Sequence, residues 1–216
     1  MTPMRIAAIA IALALPGAAI RAQDPVAHAV SAWSRVHTIR GAFEQTITNP
    51  LVGATATSRG DFQQERPGRL SIRFTQPSGD AIVADGKAVW VYLPSSAPGR
   101  VIKRRATDRS AAPIDFTAQF LESPRARYEI TDAGTQELDG RATHVLKFVP
   151  KAGTGSTFAR GQVWVDDVDG LIRQFEVTEP NGLTRRVHLT GITLNGPVKP
   201  DAFTFKVPNG VKVVDG

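Results

Sequence analysis

Four histidines, His28, His37, His144 and His188, are the side chains in this 216-residue sequence best suited by type to move a proton near neutral pH or to hold a metal. Their spacing supports neither task, because no H-x-H or H-E-x-x-H pattern brings two of them together. A nucleophilic serine needs a G-x-S-x-G turn between a strand and a helix. Gly153-Thr154-Gly155-Ser156 has the wrong spacing and lies between two strand-like runs. Asp166-Asp167-Val168-Asp169-Gly170 resembles a calcium loop, but its glycine falls fifth, and Val177 stands where a bidentate glutamate would close the site. It reads as an acidic hairpin turn. The sequence contains no cysteine, which removes disulfides, thiolate metal sites, thiol nucleophiles and lipid attachment to a cysteine. Neither an enzyme nor a cofactor is expected. The remaining concentration of charge is the stretch from Arg100 to Arg109, with Lys103, Arg104 and Arg105 between. It reads either as a phosphate site or, the favoured reading, as a strand edge kept by charge from pairing with other chains.

The amino terminus is a targeting signal rather than part of a fold. Arg5 supplies the positive start, residues 6–15 are apolar throughout, Pro16-Gly17 breaks the run, and Ala18, Ala19 and Ala22 give a small-residue end. The apolar run is ten residues, short of the roughly 20 that span a bilayer. Residues 1–22 are therefore expected to be a cleaved signal peptide, leaving 23–216 as one exported domain. Removing Arg5 and Arg21 takes the formal charge from +6 to +4, a modestly basic surface. Export removes nucleic acid from the expected partners.

The mature chain opens with a helix. Asp24 is a good N-cap, Pro25 suits the first helical position, and Val26, Ala29, Val30, Trp33 and Val36 form one apolar stripe. Gly41 is expected to end it. Strands follow. Asp85-Gly86, Asp139-Gly140, Asp169-Gly170 and Asn181-Gly182 are hairpin turns between β-branched or alternating runs. The expected strands are 42–48, 58–65, 70–75, 81–84, 88–93, 101–104, 128–132, 143–149, 161–166, 172–178, 183–194 and 203–207. Their spacing implies a strongly curved, barrel-like antiparallel sheet. One segment, 113–122, breaks the pattern: Phe116, Phe120 and Leu121 share a helical face and Pro124 stops the run. A short amphipathic helix in an all-β stretch is expected to cover the open end or concave face of the sheet. Which strand face lines that space stays open, since Val89, Val91 and Leu93 alternate with Trp90 and Tyr92 and both sets are apolar.

The middle of the chain carries an ordered set of motifs. Gly60-Asp61-Phe62, Arg66-Pro67, Thr75-Gln76-Pro77, the run from Ile82 to Lys87 and Trp90-Val91-Tyr92-Leu93-Pro94 follow one another in order and spacing. Together they resemble the periplasmic outer-membrane lipoprotein carrier family, LolA. Phe43-Glu44-Gln45-Thr46 resembles its F-x-Q segment, and the tail from Phe203 to Val211 its closing F-T-F-x-x-P-x-G-V.

The resemblance implies a mainly β fold with helices: an unclosed antiparallel β-barrel, covered by a short helical lid and an N-terminal amphipathic helix, around an apolar cavity. It implies a periplasmic chaperone that takes acylated lipoproteins from an inner-membrane ABC transporter and gives them to an outer-membrane acceptor, as a monomer and without a cofactor. A lipid- or lipoprotein-sensing or glycolipid-carrying domain of the same fold is the alternative. By the same resemblance Arg66 is the lid latch, a planar donor group suited to backbone carbonyls at a helix end. Phe43, Leu70, Ile72 and Trp90 fall near the cavity, with core packing expected at Trp90. Leu70 and Ile72 are smaller than the family's aromatic residues there. Phe116, Phe120 and Leu121 are the lid candidates.

Overall fold

The computed structural model describes residues 24–106 and 117–216. The signal segment, Phe116 and Arg109 lie outside those residues. Helix α1 (Pro25–Ser34) is capped as the sequence leads one to expect, with the Asp24 carboxylate accepting from the Val26 amide at 3.0 Å. It ends earlier than Gly41. The chain turns at Arg35 and enters β1 (Thr38–Asn49), where Thr38 and Ile39 favour extended backbone. Gly41 serves the sheet instead: a Cβ there would lie 2.6 Å from the Thr190 carbonyl oxygen, beside the register shift between Arg40 and Ala42.

The next strands are β2 (Ala54–Glu65), β3 (Arg69–Gln76), β4 (Ala81–Asp85), β5 (Ala88–Tyr92) and β6 (Arg100–Arg105). Two short helices, α2 (Ala118–Leu121) and α3 (Pro124–Arg127), lead into β7 (Tyr128–Leu138) and β8 (Arg141–Pro150). Then come β9 (Arg160–Asp166), β10 (Ile172–Thr178), β11 (Thr184–Leu194), a 3-10 turn (Pro200–Phe203) and β12 (Lys212–Asp215). The run ends before Pro124, as expected: α2 stops at Leu121, Ser123 takes a positive φ of 50°, and Pro124 opens α3, where its missing N–H costs nothing. The four Asx-Gly turns fall between consecutive strands, and Asp139 and Gly140 both take positive φ, at 51° and 72°.

The twelve strands of the described residues form one curved, unclosed sheet, in the order β12-β6-β5-β4-β3-β2-β1-β11-β10-β9-β8-β7. The seam between halves is β1 against β11, from Ile39 opposite Leu194 to Thr48 opposite Thr184. Two expectations are corrected here. The last strand is 212–215 rather than 203–207, and it pairs with β6 in parallel. Residues 203–207 instead leave a 3-10 turn that packs on the outer side of β3 and β4, where Phe203 is buried. The basic strand β6 is consequently not an edge, because β5 and β12 flank it.

Alternation places one apolar set inside the curve. Leu70, Ile72, Leu146, Phe148, Val163, Val165, Phe175, Val187 and Leu189 join Trp33 and Val36 from the α1 region in one core. Ala81, Val83 and Val101 are buried on the other face. This answers the open question of strand face: Val89 and Val91 point into the curve, and Trp90 and Tyr92 point out, both in ring contact with Phe205.

Candidate functional site

The inner face does not close over itself. Between the seam and strands β2 to β4 lies a cavity of about 270 Å³. Its wall is apolar along most of its length, from Ile39 and Phe43 on β1 through Phe62, Leu70, Ile72, Phe74 and Ile82 to Phe175 and Leu189. Gln45, Gln64, Thr117 and Arg185 are its polar exceptions.

The aromatic wall is shaped by a glycine. Phe43 and Phe74 meet edge to face at 5.3 Å. A Cβ on Gly60 would lie 2.2 Å from the Arg73 carbonyl oxygen and 2.9 Å from the Phe43 ring. The glycine of the G-D-F motif is what lets that ring lie across β2.

Phe120 is fully buried on α2, its ring 5.3 Å from Phe148, 5.6 Å from Phe158 and 5.9 Å from Phe175. Phe175 reaches the cavity from the same cluster, so α2 sits beside the cavity and Thr117 forms part of its lining. Leu121 is buried next to Phe120. The seat for Phe120 is a notch at Gly161, where a Cβ would lie 2.9 Å from the ring.

Arg66 stands at the end of α1. Its Nη1 donates to the carbonyls of Trp33 at 2.9 Å and Val36 at 3.2 Å, and its guanidinium lies 4.7 Å from the centre of the Trp33 ring. Those carbonyls belong to the last turn of the helix and the residue beyond its cap, where intrahelical bonding runs out; Trp33 also accepts from the Val36 amide at 3.1 Å. One planar cation thus ties the start of β3's hairpin to the exit of α1, and α1 touches α2.

Of the residues singled out in the sequence, Phe43, Leu70 and Ile72 line the cavity. Phe120 and Leu121 belong to α2 beside it, and Arg66 holds the exit of α1. Trp90 is apart from them, on the outer face, its Nε1 donating to Asp85 at 3.2 Å and Lys103 lying 4.8 Å over its ring. Sequence reasoning did not single out Phe62, Gln64, Phe74, Phe175 or Arg185. The even-numbered alternation 62/64 and 70/72/74 across the β2–β3 hairpin was the available signal for Phe62, Gln64 and Phe74, which share a face with Leu70 and Ile72. Nothing local marked Arg185.

The histidines do not converge. His144 on β8 lies between Asp132 and Asp167, at 3.2 and 3.7 Å, and His188 on β11 lies 2.7 Å from Asp139 in the β7–β8 turn. Among the described residues no group of three or more His, Asp or Glu side chains could hold a metal ion. No described helix is long and apolar enough to cross a membrane. The acidic turn after β9 has a structural task. Asp166, fully buried, is held by Arg141 and by Arg173, which lies at 3.1 Å, and it accepts from the amides of Val168 and Asp169. Burial opposes its ionisation, but those hydrogen bonds outweigh it and bring its pKa down from 3.8 to about 2.

A single antiparallel-dominated sheet, curved but unclosed, with an internal apolar cavity and short helices over its concave side, defines the class of half-open β-barrels. Within that class the chain belongs to the family described as outer membrane lipoprotein carrier protein LolA, whose sequence profile matches residues 34–206. It is 28% identical over 216 aligned positions to the outer-membrane lipoprotein carrier protein of Salmonella paratyphi A, covering 96% of this chain and 97% of that one. It is also 28% identical over 213 positions to the protein of that name from Chromobacterium violaceum, covering 97% and 95%. Among solved structures, an uncharacterized conserved protein from Thermus thermophilus shares the fold, with a TM-score of 0.56 at 10% identity over 88% of this chain and 97% of that one.

Proposed function

We propose that this chain is a periplasmic carrier of acylated lipoproteins. It accepts them from an inner-membrane ABC transporter, shields their acyl chains in the cavity, and hands them to an outer-membrane acceptor. The observation that carries the reading is the apolar cavity of about 270 Å³ in a chain that the lipoprotein carrier profile matches over 34–206. Each methylene removed from water is worth about 0.8 kcal/mol, so acyl chains do not cross an aqueous compartment unshielded at a useful rate. Export through a cleaved signal at 1–22 places the carrier in that compartment, and 23–216 works as one domain and as a monomer.

Arg66 is the latch in this reading. By fastening the exit of α1 it stabilises the closed, empty state, with α2 and its Phe120 and Leu121 as the lid. Phe43, Leu70 and Ile72 meet the acyl chains. The work is done by burial and release, with no bond made or broken.

The test is affinity isolation of the mature protein from periplasm, followed by mass spectrometry of what is bound. Acylated lipoproteins in stoichiometric amount are expected. Free phospholipid or glycolipid with no lipoprotein would overturn the reading in favour of a lipid carrier or sensor of the same fold.

A further inference from the structure

The polar residues of the cavity are not spread evenly along it. Gln64 lies at the end near α1, opposite Ile39 on β1. Gln45 and Arg185 lie at the other end, where Gln45 faces Val187 and Arg185 faces Ile47 across the seam. Burial falls in that direction along both strands: Ile39, Phe43, Leu189 and Val187 are buried, whereas Gln45, Ile47 and Arg185 are half-buried. This end, toward the tips of the β1–β2 and β10–β11 hairpins, is the mouth.

Arg185 is unlike its neighbours there. Arg186, next in sequence and on the opposite face, pairs with Glu176 at 2.6 Å, and Arg59 pairs with Glu44 at 2.6 Å. The residues facing Arg185 are Ile47 on β1 and Val177 on β10. Its Nε is buried and has no hydrogen-bond partner among the described residues. Gln45 directs its amide nitrogen to Ser58 Oγ at 3.1 Å, and as a neutral side chain it brings no counter-charge. None of the described residues lining the cavity is an Asp or Glu. A guanidinium whose Nε is buried against apolar neighbours with no hydrogen-bond partner or counter-charge among the described residues is poorly satisfied, and an anionic acceptor relieves it with a strong, charge-assisted hydrogen bond.

We propose that Arg185 is the headgroup anchor of a lipid site at the cavity mouth, and that the ligand class is an acyl lipid bearing an anionic oxygen, a carboxylate or a phosphate, beside its chain. The chain enters along Phe43, Phe74 and Leu189, and the anion stops at Arg185. The ester and amide linkages of an acylated cysteine are uncharged, so this site adds a class of ligand to lipoprotein cargo and stands without it.

The test titrates the mature chain with three single-chain lipids below their micellar concentrations: oleate, oleoyl lysophosphatidylglycerol and monoolein. Arg185→Gln and Arg185→Lys are compared with the parent. A charged hydrogen bond corresponds to roughly 10- to 100-fold in affinity. Arg185→Gln is expected to weaken at least one anionic lipid by that factor and to change monoolein by less than about twofold, while Arg185→Lys keeps part of the preference. Loss for oleate alone assigns the carboxylate, and loss for the lysophospholipid alone the phosphate. The empty Arg185→Gln protein is expected to melt no lower than the parent, because an unpaired charge has left an apolar wall. Unchanged affinity for both anionic lipids, or an equal loss for monoolein, overturns the proposal. Failure to isolate lipoproteins from periplasm bears on the carrier reading and leaves these titrations untouched.

Discussion

Arg66 and Asp166 show two uses of charge in one chain. Arg66 donates to the carbonyls of Trp33 and Val36, and because the Val36 amide also reaches the Trp33 carbonyl, its loss bears mainly on Val36; if Arg66 is the proposed latch, that loss weakens the empty, closed arrangement more than a filled one. A state that is penalised only when empty shifts the population toward the filled form. Arg66→Leu is therefore expected to accept a diacylated lipopeptide but to release it several-fold more slowly to an acceptor, read in a hand-over assay; equal release rates would sink the latch. Asp166 works on stability. Its pKa is lowered from 3.8 to about 2, so the stabilisation it supplies is complete above about pH 4 and is lost as pH falls through 2. The amount is roughly 2 kcal/mol. Denaturant unfolding of the parent and Asp166→Asn should converge between pH 4 and pH 2, and a constant difference across that window would rule out the linkage. At this scale the sequence singled out Arg66 through its R-P motif, and the residue stands at the exit of α1. The sequence was silent on Arg185, because an arginine in a strand looks the same whether its side chain meets a carboxylate or a cavity.

The short helix α2 depends on a strand it is not bonded to. Gly161 on β9 leaves the notch into which Phe120 fits, with a Cβ position 2.9 Å from the ring. Gly161→Val is expected to destabilise by about 1–3 kcal/mol through overpacking. Phe120→Ala alone should cost about 3–5 kcal/mol, since the ring is fully buried. Combined, the two should cost less than their sum, because the second removes what the first collides with; additive thermal or urea unfolding energies would dissociate the helix from that notch. Elements were read well where local chemistry decides them. The Asp24 cap and the Asx-Gly turns fixed the start of α1 and the hairpins. The misreadings came where tertiary contact decides. Gly41 looked like a helix end and is a close strand crossing. Residues 203–207 have strand-like alternation but lie on the outside of a sheet whose β6 edge was already taken by 212–215.

For the molecule as a whole, the cavity of about 270 Å³ falls below the roughly 300–1,000 Å³ of ordinary ligand pockets, and several acyl chains need more room than that. Loading must then enlarge the space between the sheet and α2. Hydrogen exchange should show the amides of α2 losing protection when a lipopeptide binds, with the β8–β9 ladder unchanged; unaltered α2 protection would mean the chains are held elsewhere. The seam between β1 and β11 has a further consequence, in time rather than space. Ile39 pairs with Leu194, and the His37 amide bonds the Asn195 side chain across 158 residues of sequence, so β1, paired at once with β2 on one edge, waits on its other edge for a partner near the far end of the chain. Nine of the eleven pairings among the described strands join consecutive strands, so this distant seam, whose long loop must close before its contacts form, is expected to be the slow step. A newly made chain therefore remains pliable until most of it is available, and refolding should be slowed by Leu189→Ala in the seam far more than by changes at the β7 edge.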